Sequence, residues 1–422
     1  MKNIKKIAVM LLSVVSGTFA SPPRLNLFNP YDCLVMPPAR PDVCWQPTIG
    51  YEGSFQTRSY QADEDELGNS QCFRKRADVL QLYQDKQDLL AALKGDDFTT
   101  EMGQLAQKFN LDDDDGTFGL FVPCGDLDIH NILLSVRRYL SHGFMVSAHL
   151  PVLSMKLKDV TWRPAAENTN ETFDSQVTND LISDIETIGS INLHGWDRTG
   201  AGDLALMVWW NRYFPQARPF LQNVEIGLRL GLTFPTGKDT DEDVLLGLPF
   251  GYNAGAGIIA GGNLEFWFCD YYRFGVDAEL LQLFGETRDR RIKTDLAQTD
   301  LVFLSKVCAF TEPGFTQHFT LYGQAAQFCR GLSARIAYQY TKQQEDKLFL
   351  GTDHFDCVIA NTAESLQDWT THSIVFNVDY DFFDGCECAA YKPYISVFIK
   401  HGFNGSRAIL TSTAGAIFSI DF

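Results

Sequence analysis

The sequence predicts an all-β protein: a transmembrane, antiparallel, up-and-down β-barrel of about 12 strands, with a helical insertion in the first external loop. Three observations predict it. Apolar and polar residues alternate along many segments, short and long connections alternate between those segments, and the chain ends on a strand-like stretch whose last residue is Phe422. Closed barrels and helices are the only structures that span a bilayer, because every backbone polar group must be paired there.

The clearest alternation lies in 223-NVEIGLRLGLTF-234. Every second residue from Val224 to Phe234 is apolar, and the residues between them are polar or glycine. A strand places these two sets on opposite faces, whereas a helix would scatter them around its circumference. The same pattern recurs in 273-RFGVDAEL-280, 332-LSARIAYQY-340 and 373-SIVFNVDYDF-382. The sequence therefore predicts strands with one apolar face and one charged face.

Twelve such strands are predicted, and the connections between them alternate in length. Most connections that follow a second, fourth, sixth, eighth or tenth strand are short, whereas the odd-numbered ones, apart from the eleventh, are long and polar. Short turns on one side and long loops on the other are typical of outer-membrane barrels. The predicted strands are 49–58, 127–140, 143–157, 203–213, 223–234, 253–268, 273–285, 316–328, 332–342, 371–383, 391–401 and 408–422.

The N-terminus predicts export. Residues 1–20 combine a basic start, an apolar stretch and small residues before a cleavage point, so we expect a signal peptide that is cleaved after Ala20. Residues 21–48 form a proline-rich arm, and residues 49–422 form the barrel, of which 59–126 are the helix-containing first external loop. The predicted location is the bacterial outer membrane.

The first external loop carries the spacing of helices. Leucines recur at helical intervals in 78-DVLQLYQDKQDLLAALKG-95, where Asp78 is a candidate N-cap and Gly95 follows the last turn. A second helix is predicted near Phe98 and Phe109. A long loop with helices of its own is usually functional or a packed cap. Our hypothesis is that residues 78–109 cap or plug the pore.

Two aromatic features concern the membrane boundary. Aromatic residues near predicted strand ends, such as Trp209, Tyr213 and Trp267, suit interfacial girdles. At the C-terminus, Phe418, Ile420 and Phe422 are predicted to face lipid, and Ile417 is the one apolar residue on the opposite face. The last strand must pair with the first, because an open sheet edge cannot persist in lipid.

Three local motifs resemble outer-membrane proteins of Gram-negative bacteria. The alternate apolar residues Phe418, Ile420 and Phe422 resemble the signal read by the barrel-assembly machinery. The segments 200-GAGDLAL-206 and 228-LRLGLTFPTGKD-239 resemble motifs of a channel family associated with phenol-degradation pathways. That family is similar in architecture to the long-chain fatty-acid transporters. The resemblance covers roughly residues 195–422, and it implies a barrel that passes small, often hydrophobic molecules.

The charged residues exclude one class of partner and indicate which residues line the predicted pore. The formal net charge of −18 argues against a nucleic-acid partner, which requires basic patches. No cofactor is predicted, and Cys386-x-Cys388 lacks partners of metal-site spacing, so no metal is predicted either. The predicted pore-lining residues share the polar face of their strands. They are Glu225, Arg229, Asn263, Glu265, Arg273, Asp277, Glu279, Gln324, Arg335, Gln339, Asn377, Asp379 and Lys400.

All ten cysteines lie in the exported part of the chain, where disulfides persist. We expect bridges within each side of the membrane, with free thiols as the alternative. Cys72 and Cys124 share the first external loop and are the first candidate pair. Cys308 and Cys357 are also assigned to the external side, and Cys269 and Cys329 to periplasmic turns, together with Cys33, Cys44, Cys386 and Cys388.

The pattern favours a channel for passive passage of small solutes, with hydrophobic or aromatic solutes as candidates. The alternative is a non-conducting surface or structural barrel of the adhesin type, in which the lumen charges pair with one another. An outer-membrane lipase is least favoured, because His318, His372, Ser373 and His401 lie in no nucleophile motif, and we expect no enzymatic activity. Expected partners are outer-membrane lipid, lipopolysaccharide and the barrel-assembly machinery. The basic run 288-RDRRIK-293 is a candidate contact with lipopolysaccharide or with a constriction of the pore, although a solvated loop is the favoured interpretation.

Overall fold

The structure is a computed structural model. It describes residues 29–38, 44–62, 76–95, 100–101, 103–104, 119–165, 175–253, 255–269, 271–329, 331–382 and 391–422, with backbone alone for 175–180. The predicted signal peptide and the second predicted helix of the first loop, near 98–109, lie largely outside these ranges, so both stay predictions.

The described residues form eighteen strands, two α-helices and four 3₁₀ turns. The strands are β1 (Trp45–Tyr60), β2 (Arg76–Ala77), β3 (Gln87–Asp88), β4 (Leu120–Tyr139), β5 (Phe144–Pro164), β6 (Trp196–Ala201), β7 (Leu204–Pro215), β8 (Leu221–Phe234), β9 (Gly257–Phe268), β10 (Tyr272–Leu283), β11 (Glu286–Arg291), β12 (Lys306–Glu312), β13 (Thr316–Cys329), β14 (Leu332–Gln343), β15 (Lys347–Leu350), β16 (Trp369–Asp381), β17 (Lys392–Ser406) and β18 (Ala408–Asp421). The helices are α1 (Ser175–Gly189) and α2 (Cys357–Ala360), and the 3₁₀ turns are Val79–Gln81, Ala91–Leu93, Ser141–Gly143 and Glu364–Leu366.

Twelve strands close into an antiparallel barrel. The ring runs in the order β1, β18, β17, β16, β14, β13, β10, β9, β8, β7, β5 and β4, and β4 pairs back onto β1. Each neighbour in the ring is also a neighbour along the chain, except where the first and last barrel strands meet. The prediction of a 12-strand, up-and-down transmembrane barrel is confirmed. Strands β4 and β5 are longer than predicted and leave 61–119 as the first long connection.

The outside of the ring is apolar. Outward-facing side chains such as Ile49, Leu230, Phe274 and Ile336 are each more than half exposed. A water-soluble protein rarely exposes so many large apolar side chains in one continuous band. Because each of these residues alternates with a buried polar one, the band is the lipid face of a transmembrane barrel. Among the helices that the structure describes, none combines the length and the apolar character needed to cross a bilayer.

The two ends of the barrel differ. One end carries the short connections from β4 to β5, from β7 to β8, from β9 to β10 and from β13 to β14, together with the start of β1 and the end of β18. There Phe422 accepts backbone hydrogen bonds from Cys44 and Trp45. The other end carries the long connections, which identifies it as the external end. The eleventh connection, predicted at 402–407, is reduced to Arg407, because β17 and β18 extend almost to each other.

The long connections form a packed external cap. Its core is a hydrophobic cluster in which Leu80, Leu82 and Leu93 of the first loop meet the inward-facing Met155 and Leu157 of β5. The same cluster includes Leu181 and Ile185 of α1 and Phe250 of the fifth connection. A separate sheet of β11, β12 and β15 lies outside the ring. The inner wall of the external mouth is therefore covered by apolar side chains from several loops.

The predicted helix over 78–95 is wrong. This segment forms two isolated 3₁₀ turns and the short strand β3, and β2 lies just before it. Asp78 does cap a turn, since its side chain accepts from the Leu80 N–H, and Gly95 adopts a positive φ of 84°. The leucine spacing reflects burial against β4, β5 and α1 from several directions, which satisfies the same apolar residues without a continuous helix. Helix α1 was not predicted, although Leu181, Ile185 and Ile188 have helical spacing.

The two motifs that resemble the channel family meet in the structure. Asp203, the aspartate of 200-GAGD-203, accepts hydrogen bonds from the Gly237 N–H at 3.0 Å and the Tyr252 N–H at 2.5 Å. Gly237 belongs to 235-PTGKD-239. Burial raises the pKa of the Asp203 carboxyl to about 6, and these backbone hydrogen bonds oppose the shift. The paired motifs thus fix the loop after β8 against the start of β7.

Candidate functional site in the barrel lumen

The structure places all thirteen predicted pore-lining side chains on the inner face of the ring. Twelve of them line one cavity of about 350 Å³. The exception is Asn377, which is buried, donates from Nδ2 to the Leu34 carbonyl at 3.3 Å and accepts from Ser396. This agreement follows from strand parity, since neighbouring residues of a strand face opposite sides of the wall.

The N-terminal arm lies inside the barrel. Asn29 and residues 31–38 line the same cavity as the barrel wall, and Tyr31, Leu34, Val35 and Met36 are all at least 95% buried. Asn29 lies toward the external end, where its Oδ1 accepts from the Tyr252 hydroxyl at 2.7 Å. Pro37 lies toward the short-turn end, where its carbonyl accepts from Arg137 at 2.6 Å. We use "the arm" for residues 29–38 from here on.

Charged side chains of the wall hold the arm. Lys400 lies 3.1 Å from Asp32 and 3.2 Å from Glu52, so one ammonium bridges the arm and β1. Arg335 donates to the Leu34 carbonyl at 2.6 Å. Charged hydrogen bonds of this kind are stronger than neutral ones, especially away from water. The arm is therefore a specifically bound segment of the lumen.

Apolar contacts also hold the arm against the barrel wall. Leu34 and Val35 pack in one buried cluster with Val375, Phe398 and Ile417. This contact explains the apolar residue that breaks the pattern of the last strand: Ile417 faces inward because it packs against the arm. Sequence periodicity identifies such a residue as an exception but does not identify its partner.

The first charged group of the lumen, which we call the arm-facing cluster, consists of Tyr31, Trp209, Arg229, Asp277 and Glu279. Arg229 makes two hydrogen bonds to Asp277, at 2.5 and 2.6 Å, and a third to Glu279 at 2.7 Å. The Tyr31 hydroxyl donates to the same Glu279 at 2.5 Å. The Arg229 guanidinium also lies 5.4 Å from the centre of the Trp209 ring. Each charge in this cluster has a partner of opposite sign.

The second charged group, which we call the carboxylate site, lies nearer the short-turn end. It consists of Asn211, Tyr213, Glu225, Glu265 and Trp267. Glu225 and Glu265 lie directly opposite each other on β8 and β9, and both are more than 90% buried. Glu265 accepts from Trp267 Nε1 at 2.6 Å and from the Tyr322 hydroxyl at 2.8 Å. The nearest ion pair is a long one, from Arg273 to Glu265 at 3.8 Å.

Three aromatic residues that the sequence suggested for interfacial girdles face the lumen instead. Trp209, Tyr213 and Trp267 all line the cavity. For these three residues the interpretation was wrong, because it used position near a strand end and ignored parity. In β9, for example, Trp267 shares a face with Glu265, two residues away, and therefore points inward.

The described cysteines, which are Cys33, Cys44, Cys124, Cys269, Cys308, Cys329 and Cys357, are free thiols. The structure therefore contains no bridge among the candidates Cys269, Cys329, Cys308 and Cys357, in contrast to the expectation. Cys72, Cys386 and Cys388 lie outside the described residues, so pairs that include them, such as Cys72–Cys124, stay predictions. Cys33 was placed on the periplasmic side, but it lies on the arm within the lumen.

The basic run 288–293 holds the external cap together. Arg291 donates to the carbonyls of Gly189 and Leu304, each at 2.8 Å, and pairs with Asp243 at 2.9 Å. Arg288 and Arg290 both lie 3.5 Å from Glu242. Because these arginine side chains are at least 84% buried, the run is an internal link between loops and not a surface for lipopolysaccharide.

The residues considered for lipase chemistry do not form a relay. His372 faces outward and its Nδ1 lies 2.7 Å from the Tyr338 hydroxyl, whereas Ser373 faces the lumen. His318 lines the lumen and contacts Thr320 and Thr341. His401 lies 2.8 Å from Ser412, and in the described part of the chain no carboxylate or amide contacts the other nitrogen of its ring. Within the described residues, no group of three His, Cys, Asp or Glu side chains is arranged to hold a metal ion.

A closed ring of twelve strands, apolar outside and charged inside, defines an integral β-barrel protein of the outer-membrane type. No protein-family model matches the sequence, and no characterised protein matches it by sequence.

Several solved structures of barrels are similar to this chain. An outer-membrane channel of Pseudomonas putida F1 has 13% sequence identity and a TM-score of 0.49, over 91% of this chain and 97% of that one. A mutant of TodX, a monoaromatic hydrocarbon channel, has 10% identity and a TM-score of 0.36, over 97% of both chains. The toluene transporter TbuX of Ralstonia pickettii has 8% identity and a TM-score of 0.31, over 90% of this chain and 89% of that one.

Proposed function

We propose that the protein is an outer-membrane channel for passive passage of small solutes, and that the arm occupies its pore in the resting state. The observation that carries this proposal is the cavity between the arm and the wall, which is lined by charged and aromatic side chains of the predicted pore. A barrel that served only as a scaffold would not require a solvent-sized space among buried charges, because unfilled space and buried charge both cost stability.

The charges of the lumen set an ion preference for such a channel. Carboxylates of the wall and arm, which include Glu52, Glu225, Glu265 and Asp379, outnumber the arginines and lysines that face them. Rings and walls of acidic side chains favour cations. We expect the open pore to prefer cations over anions in a salt gradient, as measured by the reversal potential.

Two elements lie in series along the pore. The arm fills the lumen, and the first external loop contributes Leu80, Leu82 and Leu93 to the apolar cap above it. We therefore extend the hypothesis that residues 78–109 close the pore: either element alone restricts conduction. Solutes that are aromatic or partly apolar suit this path, because Trp209, Trp267 and Phe398 line the cavity beside the charges.

Single-channel recording in planar bilayers tests the proposal. Deletion of residues 29–38 should raise conductance, deletion of 78–109 should raise it separately, and the double deletion should give the largest steps. Deletion of the exposed pair Asp353 and His354 in an external loop is the control and should leave conductance unchanged. Folding of each variant is checked by heat-modifiable gel mobility.

The alternative function is a non-conducting surface barrel. The complete pairing of Arg229 with Asp277 and Glu279 favours it, since paired charges stabilise a closed lumen. Folded double-deletion protein that shows no conductance steps would establish this alternative and overturn the channel. Partnership with lipopolysaccharide and with the barrel-assembly machinery remains part of the proposal. An assembly defect in a chain that lacks Phe422 would support the second partner.

A further inference from the structure

We infer that the carboxylate site binds a primary ammonium group carried by an aromatic or apolar body, so that arylalkyl amines such as benzylamine are the solute class that this lumen selects. The inference rests on the proposed channel and makes its solute more specific. It starts from the acceptors of the site, which outnumber the donors that face them.

The two glutamates are the first part of the evidence. Side chains that are directly opposite in an antiparallel pair have Cβ atoms about 4.5–5.5 Å apart, and like charges in that arrangement destabilise the sheet. Glu225 and Glu265 occupy this position, on the lumen side and away from bulk water. Two carboxylates this close require a cation between them, a shared proton, or both.

Glu225 is the second part of the evidence. Its side chain is 91% buried and lines the cavity, and among the described residues no donor lies within hydrogen-bonding or ion-pair distance of its carboxylate. Arg273 does not reach it, because the guanidinium lies 4.0 Å from the centre of the Trp267 ring and 3.8 Å from Glu265. A buried carboxylate without a partner, aimed into a cavity, is costly unless a ligand satisfies it.

The third part is an amide oxygen beside the glutamates. Asn211 Oδ1 is buried and has no hydrogen-bond partner among the described residues. Asn211 lies opposite Gly227, one inward-facing position along β8 from Glu225. A Cβ at Gly227 would lie 1.9 Å from Asn263 Oδ1 and 2.7 Å from Asn211 Oδ1, so glycine leaves the room that these two amide oxygens occupy. A primary ammonium has three N–H donors and no acceptor, which matches two carboxylates and one amide oxygen.

Aromatic walls select the rest of the ligand. Tyr213 and Trp267 meet edge to face at 5.7 Å, and both line the cavity beside Glu225 and Glu265. Such rings attract cations through their faces and also pack against aromatic bodies. The protein's own Arg273 already uses the Trp267 face in this way, and its guanidinium is the group that a ligand ammonium would displace.

Titration calorimetry of the full barrel in detergent tests the inference with three matched probes. We expect benzylammonium to bind at least about tenfold more tightly than benzyl alcohol, because a charged hydrogen bond is replaced by a neutral one. Benzoate should not bind. Equal affinity for the alcohol, or tighter binding of benzoate, would overturn the inference without any variant being needed.

Variants locate the site. The double variant Glu225→Gln with Glu265→Gln should weaken benzylammonium binding at least about tenfold. Asp379→Asn, which removes a lumen carboxylate on a different strand, is the matched control and should change binding little. Gly227→Ala provides an independent variant that keeps every charge. Its methyl group would displace the amides of Asn263 and Asn211, so it should also weaken binding. Equal loss in Asp379→Asn would show a general electrostatic effect and would exclude the site.

The two proposals fail in different ways. Calorimetry does not require conduction. A barrel that binds benzylammonium but shows no conductance steps would therefore contradict the proposed channel and support the proposed binding site. A barrel that conducts but does not distinguish benzylammonium from benzoate would support the proposed channel and contradict the proposed binding site.

Discussion

The arm-facing cluster and the carboxylate site lie in one lumen and use the same residue types, but they differ in how their charges are balanced. In the first, Arg229 satisfies Asp277 and Glu279 together, and Tyr31 of the arm adds a hydroxyl donor. In the second, Glu225 faces Glu265, and the one ion pair is the long contact from Arg273 to Glu265 at 3.8 Å. A balanced cluster stabilises the resting structure, whereas an unbalanced one retains the capacity to bind a solute. The difference separates a structural role from a functional one within a single wall.

The largest effect on stability is expected from a substitution that removes the cation of the arm-facing cluster. Arg229→Leu leaves two buried carboxylates without a cation and should lower the free energy of unfolding by about 3–5 kcal/mol. Thermal unfolding in detergent, followed by heat-modifiable mobility, measures the change. The control is Arg273→Leu, whose guanidinium makes one long ion pair in place of the three short hydrogen bonds of Arg229, so its loss should cost clearly less. Equal losses in the two variants would show that the two groups do not differ in the way described.

A smaller effect concerns Asp203, a buried carboxyl at the external end. It accepts hydrogen bonds from backbone N–H groups and pairs with no cation among the described residues. Its pKa is about 6 in the folded protein against 3.8 for an ordinary aspartate, so the folded state binds the proton more tightly. Stability should therefore be greatest below pH 4 and fall as the pH rises through about 6, by about 1.4 kcal/mol for each unit of pKa difference.

Thermal unfolding midpoints between pH 4 and pH 7 test this dependence. Asp203→Asn should remove this component of the pH dependence, because the amide does not ionise, while the exposed Asp353→Asn should leave it unchanged. If Asp203→Asn shows the same pH dependence of the unfolding midpoint as the wild-type protein and Asp353→Asn, the role given to Asp203 is contradicted.

The smallest effect on stability is expected from a substitution that removes the repulsion between the two glutamates of the carboxylate site. Glu225→Gln removes one of two like charges that face each other, so it should raise the free energy of unfolding by about 0.5 kcal/mol. Most substitutions of buried polar residues destabilise a protein, so a gain is diagnostic. Chemical unfolding at neutral pH measures it, with the exposed Asp353→Asn as a control that removes a charge outside the lumen. A loss of stability in Glu225→Gln would mean that this carboxylate is satisfied in the resting protein.

Period-2 alternation was sufficient to predict the ring and its inner face, because strand geometry alone decides which side a residue occupies. The same parity would have placed Trp267 and Tyr213 in the lumen had it been applied to them. The position of the arm was not predictable from local pattern, since Asp32, Leu34 and Val35 are held by partners more than 300 residues away, such as Arg335 and Lys400. The leucines near Leu80 were misassigned to a helix for the related reason that their burial is supplied by distant loops.

The contact between Ile417 and the arm has a consequence for the order of events during biogenesis. The ring cannot close before β18, the last strand to be synthesised, pairs with β1. Because Ile417 lies on β18 and packs against Leu34 and Val35, the seam and the arm's binding site are completed in the same step. Closure with the arm in place gains this buried contact, and closure without it leaves Ile417 facing an unfilled lumen. Closure of the ring is therefore favoured when the arm is already in place.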